Sequence, residues 1–430
     1  MTGVEPTHAR TAHIDQHHAL TGRTLLLVST NYAPEHTGIG PYATQLAEHW
    51  AARGADTHVL AGMPHYPSWQ LDPAYTGRWR ARESRGGVTV HRRRHTVPAK
   101  QTALRRALFE ASLLAHQLAA PPRMPRPHAV VAQMPSLAGA VVAARIAARH
   151  RVPFLPVVQD LMGAAAAQSG ISGGVRAAAV AARAERYALS RAALVGVIHD
   201  SFRPRVEAMG VDPARIRLVP NWSHVARPSG SRSETRARLG WAPDRQVVLH
   251  SGNMGLKQGL EVLVDAARLD PGVDFVLMGD GNQRAALQER AREVPNLHFL
   301  PPAETADFPD VLAAADVLAV TQRASVLDMS VPSKLTSYFA AGRPVVASVA
   351  AEGGTADEVR RSGAGVLVPP EDPAALLSTL KELAADPAEA DRLGARGPAY
   401  VDEHLSAAAG LGRLDDLLDE ALAHEGAARA

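Results

Sequence analysis

The sequence of 430 residues contains no cysteine at all. This absence excludes structural disulfides, thiolate metal sites and cysteine nucleophiles, and it is compatible with a reducing compartment. Lysine is scarce as well, since only four of the 46 basic residues are lysines. Long hydrophobic runs are also missing. No segment approaches the roughly 20 apolar residues that span a bilayer, and the first 22 residues lack the apolar stretch of a secretory signal.

What is present is the composition of a soluble globular protein, 46% hydrophobic and 21% charged. A chain of this length fits two domains of ordinary size. We therefore expect domains at 23–222 and 241–410, joined by a linker at 223–240 that is rich in Pro, Ser, Gly and Arg. We expect a disordered tail at 1–22, and a C-terminal helix and tail at 411–430.

Charge is divided unevenly along the chain. Residues 1–222 hold 26 Lys and Arg against 13 Asp and Glu, whereas the remainder holds 20 against 30. Such asymmetry indicates that the first half meets an anionic partner. No nucleic-acid partner is expected.

Basic residues gather around a predicted helix at Leu104–Leu118. Five apolar residues share one face of this helix, at positions 104, 108, 111, 115 and 118. We expect the region to bind an anionic membrane surface. The alternative is an ordinary helix that turns its apolar face to the core. The basic residues before or within the helix are Arg92, Arg93, Arg94, Lys100, Arg105 and Arg106.

Short apolar runs alternate with helical patterns along both halves of the chain. Thr24–Ser29, Phe154–Val158, Val247–Ser251 and Val345–Ser348 read as buried strands. Repeated strand–helix units predict an α/β protein with two doubly wound parallel-sheet domains. Ligands bind at the carboxyl ends of the strands in such sheets, so the predicted site lies in a cleft between two such edges.

Three strand–helix junctions carry residues suited to anions. Ser333 and Lys334 stand at the start of a predicted helix, where free backbone N–H groups, a hydroxyl and an ammonium meet. Gly252 and Gly255 open a turn, after which Lys257 marks the start of a helix. Gly38 and Gly40 follow the first strand and permit close backbone approach to a ligand, although a tight turn without a ligand is the alternative. Gly279-Asp280-Gly281 is interpreted as a structural turn capped by Asp280.

Six segments, taken in order, resemble those of family-4 retaining glycosyltransferases, and in particular the enzymes that build colanic acid and related polysaccharides. The similarity covers about residues 24–410. The segments are Tyr32-Ala-Pro-Glu-His-Thr-Gly-Ile-Gly-Pro-Tyr42, Gly62-Met-Pro-His-Tyr-Pro-Ser-Trp69, Pro220-Asn-Trp222, Ser251-Gly-Asn-Met-Gly-Leu-Lys-Gln-Gly-Leu-Glu261, Gly279-Asp-Gly281, and Pro332-Ser-Lys-Leu335 with Ala341-Gly-Arg-Pro-Val-Val346.

The resemblance implies a GT-B architecture of two Rossmann-like domains that face each other across a cleft. The second domain would bind a nucleotide-diphosphate sugar, and the first would present the acceptor. Lys257 and Lys334 match positions that neutralise the donor diphosphate, while Ser333 and Leu335 would offer backbone N–H groups to phosphate. The loop with Gly38 and Gly40 would close over the donor.

The sequence departs from the family pattern at several donor-binding positions. Asn253 replaces the usual Arg after Gly252, as it does in this branch. The two glutamates that commonly hold the donor sugar and the ribose are absent; Met329, beside Asp328, and Ser337 stand there. Asp328 is expected to hold a sugar hydroxyl, and Ser337 to hydrogen-bond the ribose.

The family's His-Asp pair appears as Gln159-Asp160, which leaves Asp160 as the remaining catalytic candidate. Two ammonium groups and a helix start can stabilise a leaving diphosphate, and no Asp-x-Asp motif stands at a strand end. We therefore predict metal-independent transfer of a hexose without a cofactor. The resemblance implies retention and a sugar or lipid-linked acceptor, with the protein cytoplasmic and peripheral at the inner face of the membrane. A nucleotide-sugar epimerase and a non-catalytic sugar-nucleotide binding protein remain alternatives.

Overall fold

The computed structural model describes residues 20–36, 38–98, 102–134, 136–161, 174–223, 225–326 and 334–429. The chain divides into two compact units. Unit 1 is the part up to Val195 together with the part from Leu417 onward, and unit 2 is Gly196–Asp416. Most of the tail predicted at 1–22 lies outside the described residues, although Leu20 is buried.

Eight strands form the first sheet of the described chain. Their bounds are β1 Thr24–Val28, β2 Asp56–Gly62, β3 Arg80–Arg85, β4 Val88–Arg93, β5 Ala129–Met134, β6 Phe154–Val158, β7 Val195–Val197 and β8 Ile216–Leu218. The spatial order is β3-β4-β2-β1-β5-β6-β7-β8. The accompanying helices are α1 Gly40–Ala52, α2 Ala103–Ala119, α3 Leu137–His150, α4 Gly174–Leu189 and α5 Arg203–Ala208. The boundary between the two units falls inside β7.

The central strands of this sheet run parallel, as the alternation of strands and helices predicted. β1 pairs with β2 and β5, β2 pairs with β4, and β5 pairs with β6. The edge strand β3 was not predicted, and it runs antiparallel to β4. Gly86 and Gly87, at φ 54° and 77°, form the turn between them. Two left-handed residues make the tight hairpin turn that joins antiparallel neighbours.

Helix α2 presents its apolar stripe to solvent. Leu104 and Leu108 are 72% and 54% exposed, and Leu118 is 38% exposed. The face that packs on the fold is the opposite one and includes Phe109 and Leu113. The alternative of an ordinary helix with the Leu104 face toward the core is therefore wrong.

Two of the predicted membrane-binding cations are instead part of the fold. Arg92 and Arg93 are buried. The Arg92 guanidinium pairs with the Glu83 carboxylate at 3.0 Å, and Arg93 donates to the carbonyl oxygens of Ala120 and Pro121. Buried cations need such partners, so these two arginines hold β3 and the end of α2 in place.

The second sheet has six strands within the described residues, and neighbouring strands there run parallel. The strands are β9 Gln246–Ser251, β10 Val273–Met278, β11 Leu297–Leu300, β12 Val317–Thr321, β13 Val345–Ser348 and β14 Gly365–Val368. Their order is β11-β10-β9-β12-β13-β14. The chain thus extends the sheet from β9 in one direction and then returns to β12 on its other side. Ligands bind at such a switch point in open α/β sheets.

Nine helices follow α5 in the described chain, and the last of them runs from unit 2 into unit 1. They are α6 Arg232–Leu239, α7 Glu261–Leu269, α8 Arg284–Arg290, α9 Phe308–Ala314, α10 Lys334–Ala340, α11 Gly354–Ser362, α12 Pro373–Ala385, α13 Pro387–His404 and α14 Ala407–Arg429. Successive residues of β9 pack on opposite faces of the sheet, Val248 in a cluster with Leu263 and Leu249 in a cluster with Phe339. Helices therefore cover both faces, as predicted for a doubly wound domain.

The segment predicted as a linker at 223–240 contains helix α6. The Ser231 hydroxyl accepts a hydrogen bond from the Glu234 N–H, and Gly240 ends the helix in a left-handed conformation at φ 71°. A serine cap and a terminal glycine are ordinary helix signals, which the overall Pro, Ser and Gly content of the segment obscured.

Candidate functional site

Glycines bring two turns of unit 2 into direct backbone contact at the switch point. The Gly252 N–H donates to the Met278 carbonyl, and the Met254 N–H donates to the Asp280 carbonyl, both at 2.8 Å. A Cβ atom at Gly279, which has φ 140°, would lie 2.0 Å from the Gly252 carbonyl oxygen. Only glycine fits such an approach. The structural interpretation of Gly279-Asp280-Gly281 is therefore confirmed, and the Asp280 carboxylate caps the turn by accepting from the Gly281 N–H.

Lys334 brings a cation to this edge of the sheet. It is the first residue of α10, and its Nζ lies 3.1 Å from His250 Nε2. A Cβ atom added to Gly252 would lie 3.7 Å from the same Nζ. Burial lowers the pKa of the Lys334 ammonium to about 7. Among the described residues, no carboxylate offsets this effect. An anionic ligand would favour its charged form.

His250 is a site residue that the sequence analysis missed. It is fully buried in β9, and its Nδ1 lies 3.2 Å from the Ala319 carbonyl oxygen in β12. Burial first, and the Lys334 charge second, hold its pKa well below the usual value. We therefore assign a neutral ring that donates from Nδ1 to Ala319, which leaves the Nε2 lone pair to accept from Lys334. The signal in the sequence was a histidine inside an apolar strand.

Lys257 stands on the turn that follows β9. The turn, Leu256–Gln258, is a single 3-10 turn, and the Lys257 side chain is exposed. Among the described residues, its ammonium forms neither a hydrogen bond nor an ion pair. Arg323 holds this turn in place through two hydrogen bonds. Its backbone N–H donates to the Lys257 carbonyl at 3.0 Å, and its side-chain Nε donates to the Leu256 carbonyl at 2.8 Å. Arg323 also pairs with the Glu261 carboxylate at 2.6 Å. Sequence analysis did not single out Arg323.

The remaining donor-side candidates of unit 2 divide into three groups. Asn253 and Gly252 are exposed at the turn, where a ligand can reach them. Leu335 and Ser337 are buried on α10. Helix α10 is also fixed to the turn, since the Tyr338 hydroxyl accepts from the Ser251 N–H at 2.7 Å. Asp328 and Ser333 lie outside the described residues.

The glycine loop of unit 1 is organised by a buried carboxylate. Glu35 accepts hydrogen bonds from the backbone N–H groups of Tyr32, His65 and Tyr66 at 2.8–3.0 Å. A Cβ atom at Gly40 would lie 2.6 Å from the Glu35 carbonyl oxygen, and Gly38 adopts φ 63°. Both glycines are thus required by the backbone path, and their contact with a donor stays a prediction. Sequence analysis did not single out Glu35.

Asp160 follows β6 at the carboxyl edge of the first sheet. It is partly buried, and its Oδ1 accepts from the Leu161 N–H at 2.8 Å. The preceding Gln159 donates from its side-chain amide to Gln133 at 2.9 Å. Asp160 belongs to unit 1, and the two lysines belong to unit 2.

Neither a metal cluster nor a membrane span occurs in the described parts of the chain. No three His, Asp or Glu side chains there come together in a geometry suited to a metal ion. None of the helices there combines the length and the apolar character needed to cross a bilayer.

Two α/β units with predominantly parallel sheets, each with glycine turns at its carboxyl edge, are the architecture of the GT-B fold class. Comparison with known proteins agrees. The family described as "Glycosyl transferase 4-like domain" matches residues 37–222, and "Glycosyl transferases group 1" matches residues 245–386. The putative colanic acid biosynthesis glycosyl transferase WcaI of Escherichia coli K12 is 31% identical over 376 residues, covering 83% of this chain and 91% of WcaI. The chain therefore belongs to this glycosyltransferase family.

Solved structures support the same fold. A sucrose-phosphate synthase from Thermosynechococcus elongatus aligns with a TM-score of 0.71 at 19% identity, covering 94% of this chain and all of that one. HepE from Anabaena in complex with UDP-glucose aligns with a TM-score of 0.65 at 17% identity, covering 92% of this chain and 99% of HepE. The resemblance and fold class expected from the sequence are confirmed, and the epimerase and binding-protein alternatives are not favoured.

Proposed function

We propose that the protein transfers a hexosyl group from a nucleoside-diphosphate sugar to an acceptor hydroxyl, with retention, in polysaccharide or glycoconjugate biosynthesis. The observation that carries the proposal is the Lys334 ammonium, poised beside Gly252 at the switch point of a sheet in a chain of this family. WcaI is named for colanic acid biosynthesis and HepE is in complex with UDP-glucose, which supports the same donor and product classes.

The proposed reaction needs no protein nucleophile. The bond between the anomeric carbon and the diphosphate oxygen breaks, and the bond to the acceptor oxygen forms on the same face of the sugar. The leaving phosphate oxygen takes the acceptor proton, so the products are a nucleoside diphosphate and a new glycoside. Lys257 and Lys334 would stabilise the charge that develops on the leaving oxygen, which is usually the largest contribution to such catalysis. Asp160 stays a catalytic candidate.

We also propose that catalysis needs no metal, because two lysines supply the cationic stabilisation that a divalent ion would otherwise give. Acceptor-dependent release of nucleoside diphosphate should persist in excess EDTA. Loss of turnover in EDTA, with recovery on addition of Mg²⁺ or Mn²⁺, would contradict metal independence without affecting the assignment of glycosyl transfer.

A thermal-shift screen of nucleotide sugars identifies the donor. A ligand at about 100 times its dissociation constant stabilises the folded state by about 2.7 kcal/mol. The stabilising sugar is then incubated with and without candidate lipid-linked acceptors. We expect nucleoside diphosphate release only when an acceptor is present. Complete conversion of the sugar without acceptor would indicate an epimerase, and stabilisation without any turnover would indicate a binding protein.

We further propose a peripheral position at an anionic membrane surface. The exposed leucines of α2 offer an apolar stripe, and Trp79, 65% exposed, lies against α2 through a 5.1 Å ring contact with His116. Arg105 on α2 and Arg78 and Arg80 beside Trp79 are exposed. Apolar side chains flanked by arginines suit an interface with anionic lipids. Flotation with vesicles of phosphatidylglycerol and phosphatidylcholine tests the proposal, and absence of binding at low salt would refute it.

A further inference from the structure

The motif from Gly62 to Trp69 has no role in the donor site, yet its last residue, Trp69, lines a cavity in unit 1. The cavity has a volume of about 580 Å³, within the roughly 300–1,000 Å³ typical of small-molecule sites. It lies after the carboxyl ends of β2 and β4, where ligands bind in open α/β sheets. Its lining includes Trp69, Gln70, Arg94, Thr96, Val97 and His116.

Trp69 takes an unusual backbone conformation to reach this cavity. Its φ is 53°, in the left-handed region that a bulky residue rarely adopts. Such strain persists only where surrounding contacts determine it, and it concentrates at functional sites. Here Arg106 of α2 caps the indole, with its guanidinium carbon 4.9 Å from the ring centre, and His65 and Phe109 meet the ring at 5.4 and 5.9 Å. The indole is thereby held in one orientation.

The cavity is lined by apolar side chains and by polar or cationic ones, a combination that suits a sugar carrying an anionic group. Trp69 and Val97 supply apolar surface, and an indole is a good platform for the C–H face of a hexose. Gln70, Thr96 and His116 supply polar atoms, and Arg94 is the cation. Its guanidinium carbon lies 5.9 Å from the centre of the Trp79 ring.

The neighbouring His95 forms part of the wall. Its two ring nitrogens each lie 3.1 Å from a backbone carbonyl oxygen, those of Thr96 and Met63. Burial, followed by the nearby His65, lowers the pKa of His95 to about 4. The ring is therefore neutral at physiological pH and contributes no charge to the cavity.

The cavity also shares helix α2 with the exposed apolar stripe. Three residues of α2 contact the cavity wall. The Ser112 hydroxyl is hydrogen-bonded to the Thr96 hydroxyl, and the His116 ring contacts the Arg94 carbonyl oxygen. The Arg106 guanidinium lies over the Trp69 ring. Ser112 and His116 lie roughly 80–120° around the helix from the stripe centred on Leu104, at 3.6 residues per turn. A ligand held in the cavity thus has its polar part beside the surface that is proposed to meet lipid.

We propose that the Trp69 cavity is the acceptor subsite, and that it binds the hexose of a lipid-linked saccharide with the hexose on the indole and the lipid-bearing phosphate at Arg94. The inference rests on the proposed glycosyl transfer, because it names the acceptor class of that reaction. It assigns the Gly62–Trp69 segment a role in acceptor binding, separate from the donor turns of unit 2.

Saturation-transfer NMR with soluble probes tests this site. The probes are the 1-phosphates of glucose, galactose, mannose and N-acetylglucosamine, with inorganic phosphate and the free hexoses as separate arms. We expect saturation transfer to at least one hexose 1-phosphate, undiminished by saturating UDP or GDP. Inorganic phosphate should compete weakly, because it can contact only Arg94. Free hexose should bind more weakly than the hexose 1-phosphate, because it can contact only Trp69.

Trp69→Gly is the decisive variant, since glycine accepts φ 53° without strain while the ring is removed. We expect the dissociation constant for the best probe to rise roughly tenfold. Arg151→Gly is the matched control, because Arg151 is also left-handed at φ 52°, at the end of α3 and outside the cavity lining. It should leave binding unchanged. Arg94→Gln should weaken the 1-phosphates and leave the free hexoses unaffected.

Several results would overturn the acceptor subsite. They are no transfer to any hexose 1-phosphate, displacement of the probe by UDP or GDP, and equal binding by Trp69→Gly and the parent protein. Donor binding by thermal shift is measured on the same samples. A normal nucleotide-sugar shift together with any of these results refutes the subsite alone, whereas absence of every nucleotide-sugar shift refutes the proposed donor.

Discussion

His250 and Lys334 form a buried pair, with Nε2 and Nζ 3.1 Å apart, in which we assign a neutral imidazole as the acceptor and the lysine as the donor. The imidazole cannot rotate away without giving up its contact with the Ala319 carbonyl. The pair therefore holds the Lys334 amino group beside Gly252 before any ligand arrives, and a bound anion finds it already in place. Preorganised charge of this kind costs no rearrangement when the leaving group forms.

Removal of either proposed diphosphate-binding lysine should slow turnover. Lys257→Ala and Lys334→Ala are each expected to lower kcat by about 10²–10³, the usual effect of losing one preorganised charge contact. The measurement is steady-state release of nucleoside diphosphate. Lys381→Ala is the control, because Lys381 pairs with Asp270 at 2.8 Å, away from the glycine turns. Near-normal turnover in both lysine variants would remove these residues from the site.

Donor affinity should depend on pH through Lys334. Its pKa is lowered to about 7 by burial, so the free protein loses this charge as pH rises through 7, whereas a bound diphosphate keeps it protonated. The dissociation constant for UDP or GDP, whichever binds, should rise by up to about tenfold per pH unit between pH 7 and 9. Calorimetry in two buffers should also report proton uptake at pH 8.

NMR of ¹³C-labelled lysine checks the same pair without a ligand. The chain has only four lysines, so Lys334→Met identifies the Lys334 resonance by its loss. We expect that resonance to titrate near pH 7 and to move to lower pH in His250→Phe, which removes the acceptor of the ammonium hydrogen bond. His250→Gln retains an acceptor and should restore the titration towards that of the parent protein. An unchanged titration in His250→Phe would assign His250 to packing alone.

At the scale of elements, the turns after β9 and β10 act as one unit because their backbones touch. The contact between Gly279 and the Gly252 carbonyl leaves no room for a side chain. The turn that holds Lys257 is fixed by Arg323 from the end of β12. Three neighbouring strand ends thus set the shape of the donor-side edge.

Gly279→Ala should destabilise unit 2 by at least about 2 kcal/mol, because a Cβ would collide with the Gly252 backbone and the positive φ would become strained. Gly240→Ala is the matched control. Gly240 also has a positive φ, 71°, but nothing lies within 4 Å of its added Cβ, so its cost is conformational strain alone, about 1 kcal/mol. Denaturant unfolding compares the two. An equal decrease in the free energy of unfolding for the two variants would show that the backbones of Gly279 and Gly252 move apart in solution.

Helix α2 carries the prediction for membrane binding. Leu104→Glu combined with Leu108→Glu should abolish flotation with anionic vesicles and leave thermal stability nearly unchanged, because both side chains are exposed. Leu269→Glu is the control, since Leu269 is 56% exposed at the end of α7 in unit 2. It should float like the parent protein. Equal flotation of the double variant would exclude α2 as the contact surface.

For the whole molecule, the two proposed binding sites fall in separate units, and the two halves of the chain carry opposite net charge. The basic residues concentrate before residue 223 and the acidic ones after it. Hydrogen exchange should therefore report two independent footprints. UDP or GDP should protect 251–259 and 279–283, and a hexose 1-phosphate should protect 66–72 and 94–97, because ligand contacts suppress local opening. A single footprint shared by both ligands would contradict this division.

Much of the architecture follows from local signals in the chain. Phe154–Val158 and Val345–Ser348 have the bounds that their apolar runs predicted, since a buried strand must be apolar wherever it is covered on both faces. The Lys334 helix start and the Gly252 turn were also recognised, because glycine and helix starts have local backbone requirements. Asp328 and Ser333 lie outside the described residues, and their roles stay predictions.

Only the tertiary structure decided which distant side chains contact one another. Lys334 and His250 are 84 positions apart, and no sequence pattern links a buried histidine to a distant lysine. The same holds for the face of α2 that meets solvent, since its apolar stripe fits either a core or a membrane. Trp69 became a cavity wall only through its contacts with α2. The local preferences for helices, strands and turns act over a few residues, so the sequence alone reveals them. Charge pairing and burial depend instead on which distant segments the fold brings together.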